Sequence, residues 1–281
     1  MSRLRIHHTT SFTYEGQVEA SYNELRMRPM MSDRQFVLTE TLNVTPITSQ
    51  HPFIDYWGTR VSSIEILTPH SGLNVLAESL VEVSPPPTPA GKLDWDNITL
   101  AAATSLALTE LLETTALTAP TPDMVEKIHQ IKAKATSPDH CARDISAWIY
   151  STMSYQFGIT QVHSTAAEAW EEKKGVCQDI SHLVLGALRT AGIPARYVSG
   201  YYHPQPDAAL GETVTGESHA WVEWFTGGFT GHDPTNNQDI GERHVVIGKG
   251  RDYSDVPPIR GIYDGPPASE HSVRVELTRE R

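Results

Sequence analysis

Along the first 84 residues apolar and polar positions alternate with a period of two, the mark of strands with one buried face. Leu4, Ile6, His8, Thr10, Phe12 and Tyr14 fall on even positions, and Leu73, Val75, Ala77, Val81 and Val83 on odd ones. Phe36, Leu38, Leu42 and Val44 repeat the pattern across a charge at Glu40. Asp55-Tyr56-Trp57-Gly58 supplies a turn ahead of a strand over 61–67. Short alternating strands bounded by turn signals predict an antiparallel sheet or sandwich.

The period then changes. Four prolines at 85–89 predict a stiff, extended spacer over 85–91. Beyond it, 98–112 is rich in Ala and Leu, and Thr121-Pro122 and Ser137-Pro138 read as helix starts with proline in the first turn. Cys141, Ile145, Trp148 and Ile149 form one helical stripe, so Cys141 reads as a core residue. Thr165-Ala166-Ala167-Glu168 is a capping box. Ile180, Leu183, Val184, Ala187 and Leu188 form a further stripe, stopped by Gly192 and Pro194. Strands are predicted at 195–202 and 217–225, the second with His219, Trp221 and Glu223 on one face and Ala220, Val222 and Trp224 on the other.

Chemistry enters at Cys177, in the first turn of the helix that begins at 175–177, where unpaired backbone N–H groups and the positive end of the helix dipole favour a thiolate and a developing oxyanion. His219 follows 42 residues later and Asp233 a further 14, across a glycine-rich turn that can fold a hairpin and bring the two together. A nucleophile on a helix start, a base on one strand and an orienting acid on the next is a Cys–His–Asp arrangement.

Composition narrows the alternatives. Thirty-four acidic against 22 basic residues give a net charge of −12, which argues against nucleic acid or an anionic membrane as partner. Two cysteines exclude a disulfide framework. The start shows no signal-peptide pattern and no apolar run is long enough to span a membrane, so a cytoplasmic protein is expected. Thirteen histidines raise a metal-binding reading through His7-His8, His140-Cys141 and His203, but no C-x-x-C or H-E-x-x-H spacing exists, and neither a metal nor another cofactor is expected.

Gly-Val-Cys-Gln-Asp (175–179), His-Ala-Trp-Val-Glu (219–223) and Asp-Pro-Thr-Asn (233–236) resemble, in order and spacing, the three motifs of the bacterial transglutaminase-like superfamily of cysteine enzymes. The stretches 192–201 and 250–258 look like the family as well, and Asn23-Glu24-Leu25-Arg26 with Thr68-Pro69-His70 resemble its β-rich N-terminal domain. Ile180, Ser181 and His232 depart from the pattern, and His232 is expected to bring a second imidazole near the site. The resemblance implies Cys177 as nucleophile, His219 as base and Asp233 as orienting acid, acting through a thioester on a peptide or protein amide. Peptidase or amidohydrolase activity leads, with cross-linking or deamidation as the alternative and a non-catalytic module on the same fold as the other reading. Tyr155 and Gln156 are oxyanion candidates, while Gln178, Asp179, Trp221, Arg251 and Tyr253 are substrate-side candidates. His182 reads as a core or surface residue.

The fold expected is α+β, with a β-rich domain over 1–84, a linker over 85–91, a papain-like catalytic domain over 92–265 with a helical lead-in to 136, and a C-terminal strand or tail over 266–281.

Overall fold

A computed structural model describes residues 1–86, 92–216 and 218–281. Most of the proline spacer, 87–91, and Glu217 of the expected strand lie outside the described residues.

The N-terminal strands are β1 (Ser2–Val18), β2 (Ala20–Leu25), β3 (Gln35–Thr45), β4 (Ser49–Ile54), β5 (Arg60–Ile66) and β6 (His70–Val83). Leu4, Ile6, His8 and Thr10 of β1 and the odd-numbered apolar residues of β6 are buried, as their alternation requires. β3 departs from its pattern. Its register against β6 slips between Val37 and Thr39, so Leu42 and Val44 point inward while Phe36 and Leu38 stand exposed. One extra residue reverses the parity of everything before it.

The helices are α1 (Trp95–Thr104), α2 (Leu106–Glu110), α3 (Pro122–Lys134), α4 (Pro138–Thr152), α5 (Ala166–Glu172) and α6 (Cys177–Thr190). The Ala- and Leu-rich stretch is thus two helices that meet at an extended Ser105. The remaining strands are β7 (Ser154–Tyr155), β8 (Lys174–Gly175), β9 (Ala195–Tyr202), β10 (Thr213–Gly216), β11 (Ser218–Phe225), β12 (Phe229–Asp233), β13 (Gln238–Asp239), β14 (His244–Gly250), β15 (Ile259–Asp264) and β16 (Ala268–Arg279). Among the described residues no helix is long and apolar enough to cross a membrane.

Three main sheets organise the chain, in the orders β10-β16-β1-β6-β3, β15-β2-β5-β4 and β13-β12-β11-β9-β14. The first two enclose a core of Tyr14, Val18, Leu25, Ile64, Ile66 and Val75. The third carries α6 on one face, where Leu183, Val184, Ala187, Ala220, Val222 and Trp224 share a core with α3, α4 and α5. The α6 stripe is wider than its periodicity suggests, since every residue from Gln178 to Arg189 is buried between the sheet and the other helices.

The chain's end belongs elsewhere than its place in the sequence implies. β15 pairs with β2 and β16 with β1, so 259–265 leave the helical half, and the last 14 residues supply a strand inside the N-terminal sheet. β10 joins that sheet on the far edge of β16. Long-range pairing of this kind covers the free edge of β1. It also ties the two halves together next to the candidate site.

Candidate active site

The turn that presents Cys177 is held by its own neighbours. Asp179 Oδ2 accepts the Val176 N–H at 2.8 Å and the Thr160 hydroxyl at 2.6 Å. Burial pushes the Asp179 carboxyl above its ordinary range despite those bonds. Gln178 Nε2 donates to the Val162 carbonyl at 3.0 Å. Adjacent side chains on the first turn of α6 therefore tether the 157–162 loop. Gly175 makes this close approach feasible, since a Cβ there would sit 2.7 Å from Asp179 Cβ.

His219 comes from β11 and Asp233 from the end of β12, in a hairpin that pairs Val222 with His232. His219 Nε2 lies 2.8 Å from Asp233 Oδ2. The fully buried carboxylate also accepts from Asn236 Nδ2 at 2.7 Å and from the Thr235 and Asn236 N–H groups at 3.1 and 3.2 Å. His219 shares a cavity with Cys177, whose side chain favours a charge on the imidazole. Burial opposes a charge on His219, but Asp233 and Cys177 outweigh it and push the imidazole up to about 10. Burial likewise opposes the Asp233 charge; bonds from His219, His244 and Asn236 outweigh it and hold the carboxyl well below the usual range.

Two cavities open beside His219. The first, of about 320 Å³, is lined by Cys177, His219, Gln178, Tyr197, Tyr253 and the 157–162 loop. The second, of about 520 Å³, meets His219 but not Cys177, and is walled by Tyr202, Thr215, Gly216, Thr235 and Asn236. Tyr155, Phe157 and Ser218 line both. No Asp, Glu, Lys or Arg is among the described residues lining either one. The second wall includes β10, so the N-terminal sheet reaches the cleft through β16.

Of the residues singled out from sequence, His219 and Asp233 share a hydrogen bond, and Cys177, His219, Tyr155, Gln178 and Tyr253 line the first cavity together. Four others stand outside both cavities. The Gln156 backbone N–H is taken by the Gly175 carbonyl at 2.9 Å, and Asp179 is turned into the helix start. Trp221 is fully buried, 6.2 Å from the His219 ring. Arg251 pairs with Asp255, lies over Trp57 and faces a separate cavity beside Glu110.

His232 needs correction too. Neighbouring strand residues face opposite ways, so with Asp233 on the His219 side, His232 turns toward Trp224 and bonds Asp239 at 3.1 Å. The second imidazole near Asp233 is His244, at 3.4 Å, which no local pattern had marked. Asn236 stood in the quoted motif without a role. His182 is fully buried and accepts the Tyr253 N–H at 3.1 Å, so it braces a cleft residue from below. Among the described residues no three His, Cys, Asp or Glu converge as metal ligands.

The bacterial transglutaminase-like N-terminal region matches residues 4–82, and the transglutaminase-like superfamily core matches 126–234. The uncharacterised Mycobacterium leprae protein ML0607 is 40% identical over 99% of both chains. The uncharacterised Mycobacterium tuberculosis protein Rv2569c is 32% identical over 92% of this chain and 87% of its own. A crystal structure from Cytophaga hutchinsonii, of a protein provisionally called a cysteine protease, superposes with a TM-score of 0.78 over 99% of this chain and 97% of its own, at 18% identity. That likeness is one of fold.

Proposed function

The chain belongs to the transglutaminase-like superfamily, and on that premise we propose that it is a thiol enzyme that opens amide bonds of peptides or proteins by hydrolysis. The observation that carries this reading is that the hydrogen-bonded pair Asp233–His219 meets Cys177, at a helix start, in one cleft. Cys177 Sγ attacks the amide carbonyl as a thiolate paired with the His219 imidazolium, and Asp233 holds that ring in place. Backbone N–H groups of the first α6 turn stabilise the developing oxyanion. The C–N bond breaks, His219 protonates the leaving nitrogen, and a thioester remains. Water then adds, its proton passing to His219, and the S–C bond breaks to release a free acid.

A cleft with no Asp, Glu, Lys or Arg among its described walls suits acyl donors that are neutral around the scissile bond, because an ionic side chain there would be desolvated without a carboxylate, ammonium or guanidinium partner. One observation favours transfer to an amine as a second reading. The 520 Å³ cavity touched by His219 but not Cys177 has room for an acceptor larger than water.

A peptide library incubated with a labelled amine and read by mass tests both. Cys177-dependent gain of water at an internal amide supports hydrolysis, and Cys177-dependent incorporation of the label supports transfer. Products that persist in Cys177→Ala, or no products at all, would overturn the thiol mechanism.

A further inference from the structure

His244 opens β14 and is almost completely buried. Its Nδ1 accepts the backbone N–H of Gly241 at 3.1 Å. A backbone N–H can only donate, so this nitrogen carries the lone pair and the ring proton sits on Nε2. That Nε2 is the atom 3.4 Å from Asp233 Oδ2. The tautomer therefore follows from the geometry, and it aims a donor at the oxygen that already faces His219.

The ring is fixed on its other sides. Tyr202 lies against it at 4.6 Å and Trp221 meets it edge-on at 5.4 Å, while Tyr202 also flanks His219 at 5.2 Å. We infer that His244 is a positioning residue, donating from Nε2 to the Asp233 carboxylate and so fixing the plane in which Asp233 holds His219. The inference rests on the roles proposed above for His219 and Asp233.

The ring also stays neutral. A second proton would have to sit on Nδ1, against the Gly241 N–H. Burial disfavours the charge, and although Asp233 favours it, His219 and Arg243 oppose it, leaving His244 below its ordinary range. Tyr202, packed on the ring from β9, is a further ionisable group beside it. A neutral donor steadies the carboxylate without competing for its charge as an imidazolium would.

Two substitutions in the full chain separate positioning from packing. His244→Phe keeps a ring against Tyr202 and Trp221 but removes the donor, whereas His244→Gln carries an amide N–H near the Nε2 position and loses the ring. Positioning predicts that Phe lowers kcat about tenfold at unchanged KM while Gln stays within about twofold of wild type. The downfield proton of His219 Nε2, assigned by its loss in His219→Asn, should exchange faster with water in the Phe variant and keep its wild-type rate in Gln. Should the Phe variant not fold, His244→Leu serves as the donor-free form. A Phe variant that matches wild type, or a Gln variant as impaired as Phe, overturns the inference. If the wild type has no Cys177-dependent amide chemistry, the functional reading fails separately, and the His219 proton still decides the role of His244.

Discussion

His219 Nε2 and Asp233 Oδ2 meet at 2.8 Å inside a pocket where that oxygen also takes a 2.7 Å bond from Asn236. The carboxylate can therefore do little but hold the imidazole, and it fixes which ring nitrogen carries the proton. Replacing Asp233 by Asn puts an amide against Nε2, and the ring would turn or change tautomer to avoid facing N–H with N–H. We expect kcat to fall on the order of 10³-fold with KM little changed, since a wrong tautomer blocks proton transfer more than binding. Steady-state kinetics on a peptide from the library screen would check this, and a loss smaller than about tenfold would remove Asp233 from the mechanism.

The two cysteines should separate chemically. Cys177 borders the cleft beside His219, whereas Cys141 is fully buried in the α4 core, where burial pushes its thiol up to about 11. Iodoacetamide at neutral pH should label Cys177 in the native protein at least about a hundredfold faster than Cys141, which should react only on unfolding. Peptide mass mapping over time reads both sites in one experiment. His219→Ala should slow the Cys177 rate, and native labelling of Cys141 at a comparable rate would contradict the packing described.

Much of this site was legible because its parts are local. Cys177 lies where a helix starts, and the hairpin between His219 and Asp233 is signalled by Gly227, Gly228 and Gly231. Leu4 to Thr10 and Leu73 to Val83 likewise declare their buried face by alternation alone. What the sequence concealed depends on register and on distant pairing. A single slip at Val37 sends Phe36 and Leu38 outward, and strand parity puts His232 on the wrong face for the site. His244 meets Asp233 although β11 and β9 lie between β14 and β12 in the sheet, and nothing local encodes that contact. The return of β16 to β1, and with it the β10 wall of the second cavity, is invisible for the same reason.

Gly200 pairs with His219 across β9 and β11, and its missing side chain sets how closely the next strand and the Trp221 ring approach. A Cβ there would lie 2.0 Å from the Val245 carbonyl oxygen and 2.5 Å from the Trp221 ring. Neither neighbour is the free end of a flexible side chain, so the backbone of β14 must shift. Gly200→Ala is expected to cost about 1–3 kcal/mol or more in denaturant unfolding. Because His244 sits on β14 and Trp221 beside His219, activity should fall further than the stability loss explains. A variant as stable and active as wild type would show that the strands can part at no cost.

The His219–Asp233 pair should also leave a signature in stability against pH. His219 is pushed up to about 10 in the folded chain, against about 6.5 for an unfolded histidine. A raised base adds stability that is whole below about 6.5 and is lost as the pH climbs through the folded value. Asp233 is depressed, so its share is present above an unfolded value of about 3.9 and is lost as the pH falls. Both contributions are complete together only in mildly acidic solution, between those two unfolded values. The stability gap between wild type and His219→Asn should therefore be widest near pH 5–6, on the order of 2 kcal/mol, and close steadily toward pH 10. Denaturant unfolding of the two proteins across that range measures the gap directly. A gap that stays flat, or widens with rising pH, would mean that His219 is held neutral in the folded chain and that its bond to Asp233 carries no charge.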